Sequence, residues 1–268
     1  MIVDFHTHTL HSDGTQAPAE LLRKLDARGV ERFAITDHDA LEAYAALDLG
    51  SLGDRVIVGV EINTTYRRNE VHVLGYGFPL DSPVLRPVLE RNADERERRV
   101  RIMAEQLTAA GYDVSFEDIR AESTPGSPLG RPHVARALIR RGHTDSIEGA
   151  FRSLLRRGGP GYVPSTYMDP RDAVRLIRES GGVAVLAHPG RLDDYAIIGE
   201  LANEGLQGLE VFYPTHSSAQ RAHFRELAQR HGLVMTGGSD FHDQRYNKGG
   251  VGMEVAPRDL EGFFQLLG

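Results

Sequence analysis

Short apolar runs alternate with amphipathic stretches along most of the chain. Ile2–Phe5, Phe33–Thr36, Val56–Ile62 and Val71–Tyr76 read as strands, and the last two are joined by a polar turn at Arg67–Glu70. Pro18 stands near the start of a helix in which Leu21, Leu22 and Leu25 recur at helical spacing until Gly29 stops it. After Asp169–Pro170 the alternation continues. A helix to Ser180 leads to a strand at Val183–Ala187, a helix at Asp194–Asn203, a strand at Gly208–Phe212, a helix at Ser217–His231 and a strand at Leu233–Gly237. The pattern predicts about seven β/α units, an α/β architecture with a parallel sheet and crossover helices. Between the halves the pattern changes. A long charged helix over Ser82–Ala110, ended by Gly111, is followed by helices at Arg131–Arg141 and Ser146–Arg157, with no strand among them. This predicts a helical insertion over residues 95–160 within a barrel scaffold built from residues 1–94 and 161–268.

Composition narrows the chemistry. The 268 residues include no cysteine, which excludes disulfides, thiolate metal sites and a cysteine nucleophile, so any metal must be held by nitrogen and oxygen. A net charge of −7 argues against a protein that coats duplex nucleic acid. The N-terminus has no basic segment followed by an apolar stretch, and no window is apolar enough to span a membrane. The expected location is the cytoplasm.

The candidate chemistry lies in the histidines. Of twelve, six (His6, His8, His38, His72, His188 and His242) fall at or just beyond the C-terminal ends of predicted strands, in company with Asp13, Asp37, Asp39, Glu61 and Asp240. One such histidine is ordinarily a hydrogen-bonded structural residue. Six at strand ends that a β/α barrel gathers on one face indicate a shared cleft. His6 and His8, two apart on a strand, put both imidazoles on one side, which suits chelation of one ion. Some nine imidazole and carboxylate candidates are too many for one metal and imply two or three ions; manganese, iron and zinc all suit such donors.

In order along the chain, DFHTHTLHSDG, ITDHD, VGVEI, EVHVLGYG, LAHPG and GGSDFH resemble the metal motifs of the PHP (polymerase and histidinol phosphatase) family. The resemblance implies a distorted seven-unit barrel with a trinuclear site. His6, His8, Glu61 and Asp240 would hold one ion; Glu61 would bridge to a second held by His72 and His188; Asp13, His38 and His242 would hold the third. Manganese is the expected metal. Glu61, Asp240 and His242 would stand at the reacting phosphate, attacked by a hydroxide bridging the Glu61 pair of ions. No ligand position is substituted, which disfavours a non-catalytic, metal-stabilised interaction module. The chain also has neither a GxSxG elbow nor a GxxxxGK[ST] loop, which weighs against acyl chemistry and triphosphate binding.

The insertion guides the choice of substrate. Residues 120–157 carry eight arginines against three acids. Most of these arginines suit a solvated helical face, but Arg131 and His133 in GRPHVAR stand where Gly130 and Pro132 mark a helix start, a good site for a second phosphate. The segment is similar to the lobe of PHP proteins that take nucleoside 3′,5′-bisphosphates or the 5′ end of short phosphorylated RNA. Arg131 and His133 would then hold the 5′-phosphate. The implied partner is such a nucleotide or RNA, with no stable protein partner; histidinol phosphate is the alternative substrate. His11 is spaced wrongly for the ligand set and is expected behind it, while His143, His216, His223 and His231 read as structural. Tyr213, Phe241 and Tyr246 are candidates for stacking on a base, and Lys248, among glycines, for a phosphate contact.

Overall fold

The computed structural model describes residues 1–268 except Tyr246 and Lys248, so the expectations placed on those two lie outside the described residues. The elements run β1 (Ile2–Asp4), α1 (Pro18–Arg28), β2 (Arg32–Ile35), α2 (Leu49–Leu52), β3 (Val56–Tyr66), β4 (Asn69–Tyr76), α3 (Arg86–Ala109), α4 (Phe116–Arg120), α5 (Arg131–Arg140) and α6 (Ile147–Ser153). They continue with α7 (Pro170–Glu179), β5 (Val183–Leu186), α8 (Ala196–Asn203), β6 (Gly208–Phe212), α9 (Ser218–His231), β7 (Val234–Gly237), β8 (Met253–Glu254) and α10 (Pro257–Leu267). The strands form one sheet in the order β7-β6-β5-β4-β3-β2-β1-β8. It curls until its ends meet. The Phe5 N–H donates to the Gly237 carbonyl at 3.1 Å, and the His8 N–H to the Phe241 carbonyl at 2.8 Å. Gly238 permits this closure, because a Cβ there would lie 2.3 Å from the Cβ of His6.

The sheet is not wholly parallel as the pattern predicts. β4 is antiparallel to both β3 and β5. A two-residue turn at Arg67 and Arg68, with φ of 47° and 69°, folds β4 straight back on β3. No helix separates the two strands. The reversal decides the site, because it carries the start of β4 to the barrel end where the other strands finish. The short β8, antiparallel to β1, and the C-terminal α10 are additions that the pattern leaves out.

Two apolar clusters form. The larger fills the barrel and the space under its helices, and includes Phe5, Phe33, Ile62, Leu74 and Val185. The smaller joins α3 to α5 and α6 through Val100, Met103, Leu107, Val134, Leu138 and Ala150. Leu89, early in α3, packs on the barrel, whereas Val100 belongs to the smaller cluster, so the change falls within this one helix. Among the described residues no helix is long and apolar enough to cross a membrane.

Candidate metal centre and its cleft

Nine side chains converge at the barrel end. The chain beyond β1 supplies His6, His8 and Asp13, the chain beyond β2 supplies His38, and β3 supplies Glu61 from its middle. His188 and Asp240 follow β5 and β7, with His242 just beyond. His72 differs from expectation: it lies near the start of β4, opposite Asn63, and reaches the cluster because its strand is reversed.

Three groups of donor atoms lie within 4.8 Å of one another: His8, Asp13, His38 and His242; His6, His8, Glu61 and Asp240; and His38, Glu61 and His72. The His6 Nε2 is 3.1 Å from Glu61 Oε2 and 3.3 Å from Asp240 Oδ1. The His8 Nε2 lies 3.2 Å from the same two oxygens. Glu61 Oε1 is 2.7 Å from His72 Nδ1 and 3.1 Å from His188 Nε2. His242 Nε2 is 3.2 Å from Asp13 Oδ1, and His38 Nδ1 is 3.2 Å from Glu61 Oε2.

These separations suit metal ligands. With bonds of about 2.1 Å, neighbouring donors around one ion stand ~3.0 Å apart in octahedral and ~3.4 Å apart in tetrahedral geometry. Several of the atoms are also buried without hydrogen bonds: His6 Nε2, both ring nitrogens of His8, His38 Nδ1 and Glu61 Oε2. Buried polar groups are nearly always satisfied, so a concentration of unsatisfied donors facing each other fits a cation among them. The carboxylates around the cluster also favour the charged form of two of its imidazoles. Against burial, which disfavours charge, the neighbouring carboxylates of Asp240, Glu61 and Asp13 raise His8 to about 10. Likewise Glu210, Glu61 and Asp240 outweigh burial and raise His6 well above its ordinary value.

A second layer sets the first. Glu210 of β6 accepts from His6 Nδ1 at 3.0 Å and from the His188 backbone N–H at 2.7 Å, which turns the His6 Nε2 towards the centre. Asp4 accepts from the Ser239 N–H and hydroxyl at 2.8 and 2.7 Å and from the Gly252 N–H at 2.7 Å; burial raises its pKa to about 6 despite these bonds. Three residues at the rim, Asp39, His188 and Asp240, have positive φ of 51°, 25° and 52°. Such backbone costs roughly 1–3 kcal/mol each and persists where surrounding bonds hold it.

The centre opens into a cavity of about 550 Å³. Arg99 and Arg131 stand on its wall, both paired with Glu70, Arg131 through NH2 to Oε2 at 2.6 Å. Burial opposes ionisation of Glu70, but the two guanidiniums hold its pKa at about 2. Nearer the donor cluster, Arg191 NH2 meets the Tyr213 hydroxyl and lies 3.0 Å from Asp240 Oδ2, to which that hydroxyl also donates at 2.8 Å. Arg96 is buried, donating from Nε to Asp39 at 2.7 Å and from NH2 to Asn63.

Residues 4–161 match the model of the PHP domain. The chain belongs to the PHP domain family. It is 37% identical over 260 residues to the phosphoribosyl 1,2-cyclic phosphate 1,2-diphosphodiesterase of Eggerthella lenta, covering 95% of this chain and 99% of that protein. It is 35% identical to the 3′,5′-nucleoside bisphosphate phosphatase of Chromobacterium violaceum, covering 90% of this chain and 87% of that one. It is 34% identical to the 5′-3′ exoribonuclease Rnm of Salmonella typhimurium, with 90% and 85% covered. The protein is a hydrolase of phosphoric esters built on a distorted PHP barrel, with a cluster of donors for divalent metals.

The PHP centre gathers all nine expected ligand residues. Arg131 lies on the cavity wall at the first turn of α5. His133, expected beside it, lies behind the wall: it is buried, its Nδ1 accepts the Gly130 N–H at 3.0 Å, and burial with Arg136 lowers its pKa to about 3. In this structure it holds the start of α5. Tyr213 reaches the cavity, whereas Phe241 is fully buried in the core. Asp37 accepts from Thr9 and Ser12 and so shapes the loop that carries His8 and Asp13. His216 ties the turn at Gly190 to the Val211 carbonyl, and His143 reaches the Asp113 carbonyl.

Sequence reading does not single out Glu210, Asp4, Arg96, Arg99, Arg191 or Glu70. For Glu210 a signal exists, namely one acid inside the apolar strand GLEVF. For the arginines there is none, because 29 of the 31 basic residues are arginine and a functional one does not stand out.

Proposed function

We propose that this chain hydrolyses the phosphoester at the 3′ position of a ribose that also bears a 5′-phosphate: the 3′-phosphate of nucleoside 3′,5′-bisphosphates, and the first linkage of short 5′-phosphorylated RNA. In both, water adds to phosphorus and the bond to O3′ breaks. The observation that carries the reading is Arg131, a guanidinium at a helix N-terminus on the wall of the cavity into which the ligand cluster opens. A substrate with one phosphate would engage the ion cluster alone and leave Arg131 to its pairing with Glu70.

His6, His8, Glu61 and Asp240 would hold one ion, Glu61 with His72 and His188 a second, and Asp13, His38 and His242 a third, with manganese the metal. Divalent ions there supply Lewis acidity and a nucleophile usable near neutral pH. The chain's own residues do the rest. Glu61, Asp240 and His242 stand at the scissile phosphate; Arg191, beside Asp240, neutralises charge on its oxygens. Arg131, with Arg99 across Glu70, receives the 5′-phosphate, and His133 keeps the α5 terminus in place for it. The helical lobe of residues 95–160 thus supplies one end of the substrate site and the barrel the other.

A second substrate is favoured by the 37% identity to a phosphodiesterase of phosphoribosyl 1,2-cyclic phosphate. That compound is also a ribose with two phosphate groups. The test is phosphate or nucleotide release, by protein loaded with manganese, from adenosine 3′,5′-bisphosphate, a 5′-phosphorylated RNA pentamer, phosphoribosyl 1,2-cyclic phosphate and histidinol phosphate. Turnover of the bisphosphate and stepwise release of mononucleotides are expected. Turnover of histidinol phosphate alone would overturn the reading, and turnover of the cyclic compound alone would replace it with the second.

A further inference from the structure

Phosphate chemistry does not account for part of the cavity wall. Val100 and Met103, a turn apart on α3, and Ile147 and Phe151, a turn apart on α6, line it with apolar surface. Val100 and Met103 are buried in the lobe's own core; Ile147 and Phe151 are partly buried at its margin. The Arg131 guanidinium carbon stands 5.4 Å from the centre of the Phe151 ring. The ring therefore borders the residue proposed to hold the 5′-phosphate, which lies over part of one of its faces.

The stereochemistry of a nucleotide matches that arrangement. In a β-nucleoside the base and the 5′-carbon project from the same face of the ribose, while the 3′-oxygen projects from the other. A clamp on the 5′-phosphate thus brings the base to the clamp's own side and turns the 3′-phosphate away from it. A phosphoribosyl cyclic phosphate has no base to place there.

We propose that Phe151, backed by Val100, Met103 and Ile147, is a stacking platform for the base of the nucleotide whose 3′-phosphate reacts. It is a binding site that makes nucleotides better substrates than bare sugar bisphosphates. None of the four side chains is a strong hydrogen-bonding group, so the platform accepts any base, as aromatic stacking does. The inference rests on the functional reading above.

The test compares kcat/KM for adenosine 3′,5′-bisphosphate with that for the same ribose bisphosphate lacking its base. The wild-type protein is expected to prefer the base-bearing compound by about tenfold, and to treat adenosine, guanosine, cytidine and uridine bisphosphates within roughly threefold of one another. Phe151→Ala and Phe151→Leu should erase the preference through KM, lowering kcat/KM for the base-bearing compound about tenfold more than for the base-free one, and Phe151→Trp should retain it. The platform is overturned if wild-type protein cleaves both compounds equally, if the preference survives Phe151→Ala and Phe151→Leu, or if those variants lose both activities alike. Failure of the metal-loaded wild type to cleave either compound would instead overturn the functional reading, and the platform with it.

Discussion

Glu210 fixes two ligands at once, taking the Nδ1 hydrogen of His6 and the backbone N–H of His188. Replacing its carboxylate with an amide keeps the shape but removes the charge that orients the imidazole. Glu210→Gln should weaken apparent manganese affinity about 10–100-fold, as loss of such outer partners does elsewhere; calorimetric titration checks it, and an unchanged affinity would remove Glu210 from the site. Arg96 matters for stability. Its guanidinium is the cation beside Asp39, whose side chain is wholly buried and whose pKa burial raises. Arg96→Met leaves that carboxylate unpaired and should cost about 3–5 kcal/mol in chemical denaturation. The ligand histidines were legible in the sequence because several stand at the ends of strand-like runs. Glu210 and Arg96 were not, since a residue that supports a site through a neighbouring strand or helix leaves no local spacing to read.

The β3–β4 hairpin shows why an element can be read correctly and still be placed wrongly. Both strands and the polar turn between them are evident in the pattern, but a parallel sheet would have sent His72 to the wrong end of the barrel. The tight turn at Arg67–Arg68 reverses β4 and brings His72 to 2.7 Å from Glu61. Arginines in left-handed backbone give no glycine signal for such a turn. In the lobe, α4 depends on a local electrostatic device. Asp118 reaches back to the Ser115 N–H at 2.9 Å, and Arg141 NH2 donates to it at 2.7 Å. Those backbone and side-chain bonds hold its pKa at about 2, below the ordinary 3.8. The contribution is therefore present above pH 4 and lost as pH falls towards 2. Thermal melts should find Asp118→Asn less stable than wild type at pH 7, with the gap narrowing below pH 4 and closing towards pH 2; a constant gap would contradict the capping role.

At the level of the whole molecule, two cores meet along one cavity. The barrel gathers donor atoms from both ends of the chain, and closure of β1 against the segment after β7 brings His6 beside Asp240. The order of the six motifs was visible in the sequence; the closure was not, because it depends on backbone pairing between residues more than two hundred positions apart. The smaller core of α3, α5 and α6 sets Arg131 and Phe151 on the facing wall. The central claim is that barrel and lobe each bind one phosphate of a single substrate. The most direct measurement is the ratio of kcat/KM for adenosine 3′,5′-bisphosphate to that for adenosine 3′-monophosphate, in wild type and in Arg131→Ala. A ratio of about 10–100 in wild type, falling towards one in the variant, is predicted from the strength of charge-assisted hydrogen bonds. Equal rates on both substrates in the wild type, or a ratio that survives Arg131→Ala, would contradict it.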